Sequence, residues 1–166
     1  MMKKRYILST IVENKPGVLF SVANMFRRRG FNIDSISVGP IEEDGLSRMT
    51  ITLFGNDDMA EQTVKQLSKL IDVVKVQVLN YEDTVHRELA LIKIQYKSTK
   101  SLSELTNYCS IFRNRVIDVS SESMIVEVTG VPEKIDAFLK IVSGYGIQEM
   151  ARTGITALQR GTKNEG

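Results

Sequence analysis

The run Glu13-Asn14-Lys15-Pro16-Gly17-Val18-Leu19 holds the residue types best suited to binding chemistry in this chain. It sets a glycine where a β-branched, apolar stretch gives way to a helical pattern. The opening of a helix has backbone N–H groups without intrahelical acceptors, and it is the positive end of the helix dipole, so it attracts a carboxylate. With no side chain at Gly17, a small ligand can reach the main chain. Pro16 fixes its own φ and offers no N–H, so the approach is stiff before a ligand arrives. Each charge-assisted bond there is worth roughly 1.5–3 kcal/mol. The same Pro-Gly pair also serves as plain helix punctuation, and the residues alone leave that reading open. Asn32, just past Gly30, has an amide that both donates and accepts. It could hold the amino and carboxylate groups of a free amino acid, with Val18, Ile33 and Ile36 as an apolar wall for a short aliphatic side chain. As a turn residue it equally caps the preceding helix.

The other reactive residue types assemble into nothing comparable. One cysteine and one histidine exclude a disulfide framework and a Cys/His zinc centre. His86 has acidic neighbours in Glu82, Asp83 and Glu88 but no second histidine or nucleophile in a known motif, so it reads as a linker residue. Cys109 falls on an apolar helical face and reads as a small buried hydrophobe. No catalytic or metal-ligating residue is assigned. Arg27 to Arg29 suit a helix C-terminus, with steering of a partner as the alternative. Ser47 and Arg48 fit a partner contact or a solvated strand edge. With 22 Lys+Arg against 20 Asp+Glu the net charge is +2, too little for charge-driven binding to nucleic acid or an anionic membrane. An RNA-binding module would need aromatics along Met49–Leu53, and an acylphosphatase-like enzyme would need an arginine in 14–17. Both are absent.

The elements that must position these residues follow from periodicity. Across 166 residues, 42% hydrophobic and 25% charged, the chain has the composition of one or two globular domains. Residues 5–13 read as a strand. A helix runs from Pro16 to Gly30, with Val18, Leu19, Val22, Ala23, Met25 and Phe26 on one side. Residues 31–39 are extended, with a parity change that predicts a bulge near Asp34 or Ser35. Met49, Ile51 and Leu53 alternate as a half-buried strand. Asp58 with Glu61 starts a second helix, and Val73–Leu79 closes the half. The second half repeats the order. A strand spans 87–97, Ser101 with Glu104 makes a capping box, strands cover 116–119 and 124–128, Pro132 opens a helix, and 146–158 is extended. Two tandem βαββαβ units predict an α+β, ferredoxin-like fold: a domain at 1–80, a linker at 81–85, and a second domain at 86–166. Residues 161–166 read as a frayed tail. A domain of about 80 residues buries only ~60% of its unfolded surface, and its sheet keeps an open face and edges, which predicts a homodimer or larger assembly. No apolar run is long enough to span a membrane, and 1–5 lead into no signal core, so a cytoplasmic protein is expected.

The glycine at the helix start resembles the signature of the ACT domain, a βαββαβ module that binds amino acids at its dimer interface. The runs Arg29-Gly30-Phe31-Asn32-Ile33-Asp34-Ser35-Ile36 and Leu46-Ser47-Arg48-Met49-Thr50-Ile51 are narrower. They resemble the regulatory (small) subunit of acetohydroxyacid synthase, also called acetolactate synthase. Leu91-Ile92-Lys93-Ile94, Ile111-Phe112-Arg113, Ile117-Asp118-Val119, Asp136-Ala137-Phe138 and Ala151-Arg152-Thr153-Gly154 extend the likeness over almost the whole chain. The resemblance implies a first domain of ACT type and no catalytic centre in this chain. It implies activation of a separate catalytic (large) subunit and feedback inhibition by valine or a related branched-chain amino acid. Thiamine diphosphate, FAD and magnesium would belong to that partner. It also implies an effector site between two N-terminal domains, carried here by Asn14, Gly17, Val18, Asn32, Ile33, Ser37, Gly39 and Gln62. The second half has Lys97-Ser98-Thr99-Lys100 at the corresponding place, and no second effector site is expected there. A free-standing amino-acid sensor acting on a transporter, a transcription factor or another enzyme is the alternative.

Overall fold

The computed structural model describes residues 4–161; the expected tail beyond Gly161 lies outside the described residues. The chain forms two compact units. One holds the residues up to His86 together with the stretch from Gly154 onward, and the other holds Arg87–Thr153. The boundary expected at 81–85 therefore compares with a crossing at His86 and a return at Gly154.

In the first unit β1 (Lys4–Glu13), α1 (Val18–Arg29), β2 (Ser35–Pro40), β3 (Leu46–Gly55), α2 (Asp57–Leu67) and β4 (Val73–Leu79) follow the expected βαββαβ order. The sheet runs β2–β3–β1–β4, with antiparallel pairing. Even-numbered residues of β1 face the helices, so Tyr6, Leu8 and Val12 join Val18, Val22, Met25, Phe26, Ile51 and Leu53 in one core. α1 buries Val18, Val22, Met25 and Phe26, whereas Leu19 and Ala23, expected on that face, are exposed. Gly30, at φ 66°, ends the helix; its N–H donates to Arg27 O and that of Phe31 to Phe26 O. The bulge expected near Asp34 or Ser35 is not formed. β2 pairs with β3 residue for residue from Ser35↔Thr52 to Pro40↔Ser47. The parity change arises because Phe31 and Ile33 precede the strand and pack on the core from the loop.

The second unit has β5 (Thr84–Gln95), α3 (Thr99–Ile111), β6 (Arg115–Val119), β7 (Ser123–Gly130), α4 (Pro132–Val142) and β8 (Ile147–Arg152) in the order β6–β7–β5–β8. Its core gathers Ala90, Ile92, Ile94, Leu105, Met124, Val126, Ile135 and Phe138. Two helix starts differ from expectation. Asn56 caps α2 by accepting from Met59 N at 2.9 Å, and Ser98 caps α3 by accepting from Ser101 N at 3.2 Å. The capping box of Ser101 with Glu104 is therefore not the helix start.

The extended stretch expected at 146–158 is broken after Arg152. Its remainder, with β9 (Thr156–Gln159), lies on the face of the first sheet that the helices leave open. β9 pairs with β5, whose first residues Thr84–His86 belong to the same unit. Ile155 and Ala157 pack with Ile7 and Leu79 in a small separate core. Ile155 N donates to Ser35 Oγ at 3.4 Å and Gln77 Nε2 to Gln159 Oε1 at 2.7 Å, so the segment is tied to strands at both edges of the sheet.

Candidate functional site

The strand-to-helix junction is built as a bare main-chain surface. Glu13 N donates to Asp72 O at 2.9 Å and Asn14 N to Gly45 O at 2.7 Å, which anchors the end of β1 on both sides. Gly17 then turns the chain at φ 91°, a conformation costly for a residue with a Cβ, and the space where a Cβ would sit is open. Gly17 gives α1 no side-chain cap, and the first turn has no acidic residue. Val18 N makes a long turn contact to Lys15 O at 3.4 Å, and Ser21 N donates to Gly17 O at 2.9 Å. Among the described residues, no acceptor meets the N–H groups of Gly17, Leu19 and Phe20. Lys15, two residues before Gly17, is paired with Glu13. An anion arriving here meets unpaired donors and the helix dipole without displacing a protein group.

The corresponding junction of the second unit is closed, because Ser98 caps α3 with its own side chain. α4 also lacks a side-chain cap, but Pro132 removes one donor there and is itself buried. Gly17 thus stands at an exposed, uncapped opening between two anchored backbone segments.

The structure divides the eight candidate residues by position. Asn14, Gly17 and Val18 are consecutive around the junction, with Asn14 exposed and Val18 buried behind it. Gly39 lies at the same end of the sheet, opposite Arg48, which in turn pairs with Ile11. Ser37 sits opposite Thr50, one pleat further along. Ser37 and Gly39 share a groove of about 380 Å³ on the open sheet face with Arg48, Thr50 and Thr156. Arg48 is half-buried there and donates to Ser9 Oγ at 2.8 Å, while Ser47 is buried. Asn32 and Ile33 lie at the opposite end, beside Asp34, whose N–H donates to Thr52 O. Gln62 is exposed on α2.

Asn32 is separated from Gly17 by the whole of α1, 12 residues, or about 18 Å of helix. One copy of the chain therefore cannot close both around one small ligand. Residue patterns marked Gly17 and Asn32 but missed the donors of Leu19 and Phe20. The available signal was the absence of Ser, Thr, Asp or Asn at the cap position, which leaves the first turn open.

Comparison with known proteins gives a consistent picture. The family model described as the AHAS small subunit-like ACT domain matches residues 8–75, and that described as the small subunit of acetolactate synthase matches residues 87–161. A probable acetolactate synthase small subunit of Methanothermobacter thermautotrophicus is 52% identical over 158 residues, covering 95% of this chain and 94% of the relative. The acetolactate synthase small subunit of Mycolicibacterium smegmatis is 44% identical, covering 97% and 94%. The crystal structure of the small subunit from Thermotoga maritima is 45% identical and superposes with a TM-score of 0.89, over 96% of this chain and 99% of that one.

Proposed function

Since the chain belongs to the acetolactate synthase small subunits, we propose that it raises the activity of a separate catalytic chain in branched-chain amino acid synthesis and transmits feedback inhibition to it. The inhibitor is valine or a related branched-chain amino acid, bound between two copies of the first unit. The catalytic chain supplies thiamine diphosphate, FAD and magnesium, and both chains work in the cytoplasm.

The separation of Gly17 from Asn32 along α1 carries this reading. The open amides suit the ligand carboxylate, while Asn32 and the half-buried Ile33 suit its amino group and aliphatic side chain. They join around one molecule when a second copy presents its Asn32 to the first copy's Gly17. β2 is the sheet edge nearest that exchange, and its outer side is unpaired among the described residues. Inhibition then requires that the ligand favour the less active arrangement of the complex over the more active one, because equal affinity for both shifts nothing.

Calorimetric titration with valine, leucine and isoleucine, followed by acetolactate assays of the reconstituted complex, tests the proposal. One methylene changes binding by only about 1–3 kcal/mol, so the three differ in affinity rather than in kind. Saturable heat with matching inhibition supports the reading. No binding, or acetolactate formation by this chain alone, overturns it.

A further inference from the structure

We propose that the groove between α1 and α2, on the outer helical face of the first unit, docks an acidic segment of another polypeptide that also carries an apolar anchor. Given the function proposed above, on which this inference rests, that polypeptide is the catalytic chain.

The groove encloses about 330 Å³ and is lined by Phe20, Asn24, Arg28, Arg29, Gln66 and Lys69, among others. Three of these are cations and no carboxylate lines the groove. Arg28, Arg29 and Lys69 have no ion-pair partner among the described residues. Phe20 is 72% exposed, an unusual position for an aromatic ring that could have packed inward. Phe20, Asn24 and Arg28 fall at i, i+4 and i+8, so one stripe of α1 presents an apolar surface, an amide and a guanidinium in line. Exposed aromatics and arginines are the residue types that dominate binding energy at protein interfaces. The arginines gain from the end of α1 and Lys69, just past the cap Ser68, from the end of α2. Neither dipole accounts for the exposure of Phe20 or for three cations converging on one groove without a carboxylate.

Nucleic acid fits less well. Its binding rests on neutralising many phosphates, and three cations beside an exposed phenyl ring on a chain of net charge +2 offer few such contacts. Phe20 also belongs to the first turn of α1, where its own N–H is one of the open donors beside Gly17. A ligand that draws on those amides acts on the helix that forms one wall of the groove.

The test measures binding of the full-length chain to the catalytic chain of the same organism, at low and at physiological ionic strength. Phe20→Ala, Arg28→Glu and Lys69→Glu should each weaken association about tenfold or more. Lys93→Glu, in the second unit, should not. Wild-type affinity should fall with salt, and less steeply in Arg28→Glu. Where a charge reversal lowers the melting temperature, the neutral pair Arg28→Gln with Lys69→Gln decides. Groove variants that keep wild-type affinity within twofold overturn the inference while leaving the functional reading intact. Failure of the wild-type chain to bind the catalytic chain overturns both. A DNA duplex that displaces the catalytic chain from the groove would also refute it.

Discussion

Gly17 shares a left-handed backbone and open space beside it with Gly30 and Gly45, but it joins them to the uncapped start of a helix. Its φ of 91° disfavours any side chain, and the open space beside it is where a ligand would approach. Gly17→Asp should therefore abolish effector inhibition through strain, bulk and a repelling charge, while activation of the catalytic chain largely persists. A left-handed conformation costs roughly 1–2 kcal/mol for a non-glycine residue, so the melting temperature should drop by several degrees in calorimetry. Asn32→Ala should remove the same inhibition with little loss of stability, because the side chain is exposed. Gly154 is constrained differently: a Cβ there would lie 2.9 Å from Ile36 O and 3.0 Å from Ile36 C, backbone atoms that cannot swing aside. Gly154→Ala should cost about 1–3 kcal/mol in denaturant titration. Gly17 was legible in the sequence because a local pattern, strand then helix, surrounds it. Gly154 was not, because its constraint comes from a strand far away in the chain.

At the level of elements, strands and helices followed their periodicities closely, and the departures fall at their ends. Ser98 and Asn56 won the cap positions over Ser101 and the Asp58–Glu61 pair because their extended backbones aim an oxygen at the first free N–H groups. The break after Arg152 leaves no mark in the residue pattern because residues on either side are equally extended, and only the packing of Ile155 on Ile7 and Leu79 separates them. That segment makes a strong prediction. Ile155 is 1% exposed, and Ile155→Ala should destabilise the first unit by about 2–5 kcal/mol in chemical denaturation. A second tie joins β1 to α2, where the Tyr6 hydroxyl donates to Asp57 Oδ1. That hydrogen bond, with burial and the nearby carboxylates of Asp57 and Asp58, pushes the Tyr6 phenol from 10.0 up to about 12. A raised phenol contributes its stability below its ordinary value and loses it as pH climbs through the folded one. The first unit should therefore weaken between pH about 10 and about 12, and Tyr6→Phe should flatten that decline in an alkaline unfolding titration.

For the whole molecule, the repeated βαββαβ plan conceals an asymmetry of purpose. The first unit leaves its leading helix open at Gly17, whereas the second closes the same place with Ser98. The residues that would complete the open site stand at the far end of that helix, so ligand affinity should depend on protein concentration. Diluting the chain below the dissociation constant of its self-association should suppress valine binding, and sedimentation with and without valine should show the ligand favouring the larger species.

The distance along α1 between Gly17 and Asn32 also has a genetic corollary. On the proposed reading, a chain bearing Gly17→Asp and another bearing Asn32→Ala should each be insensitive alone, since every binding place in their own pairs would contain one lesion. Mixed, they form hybrids in which one place receives both defects and the other receives none. Two insensitive alleles expressed in the same cell should then restore partial sensitivity, an intragenic complementation that a site confined to a single polypeptide cannot produce.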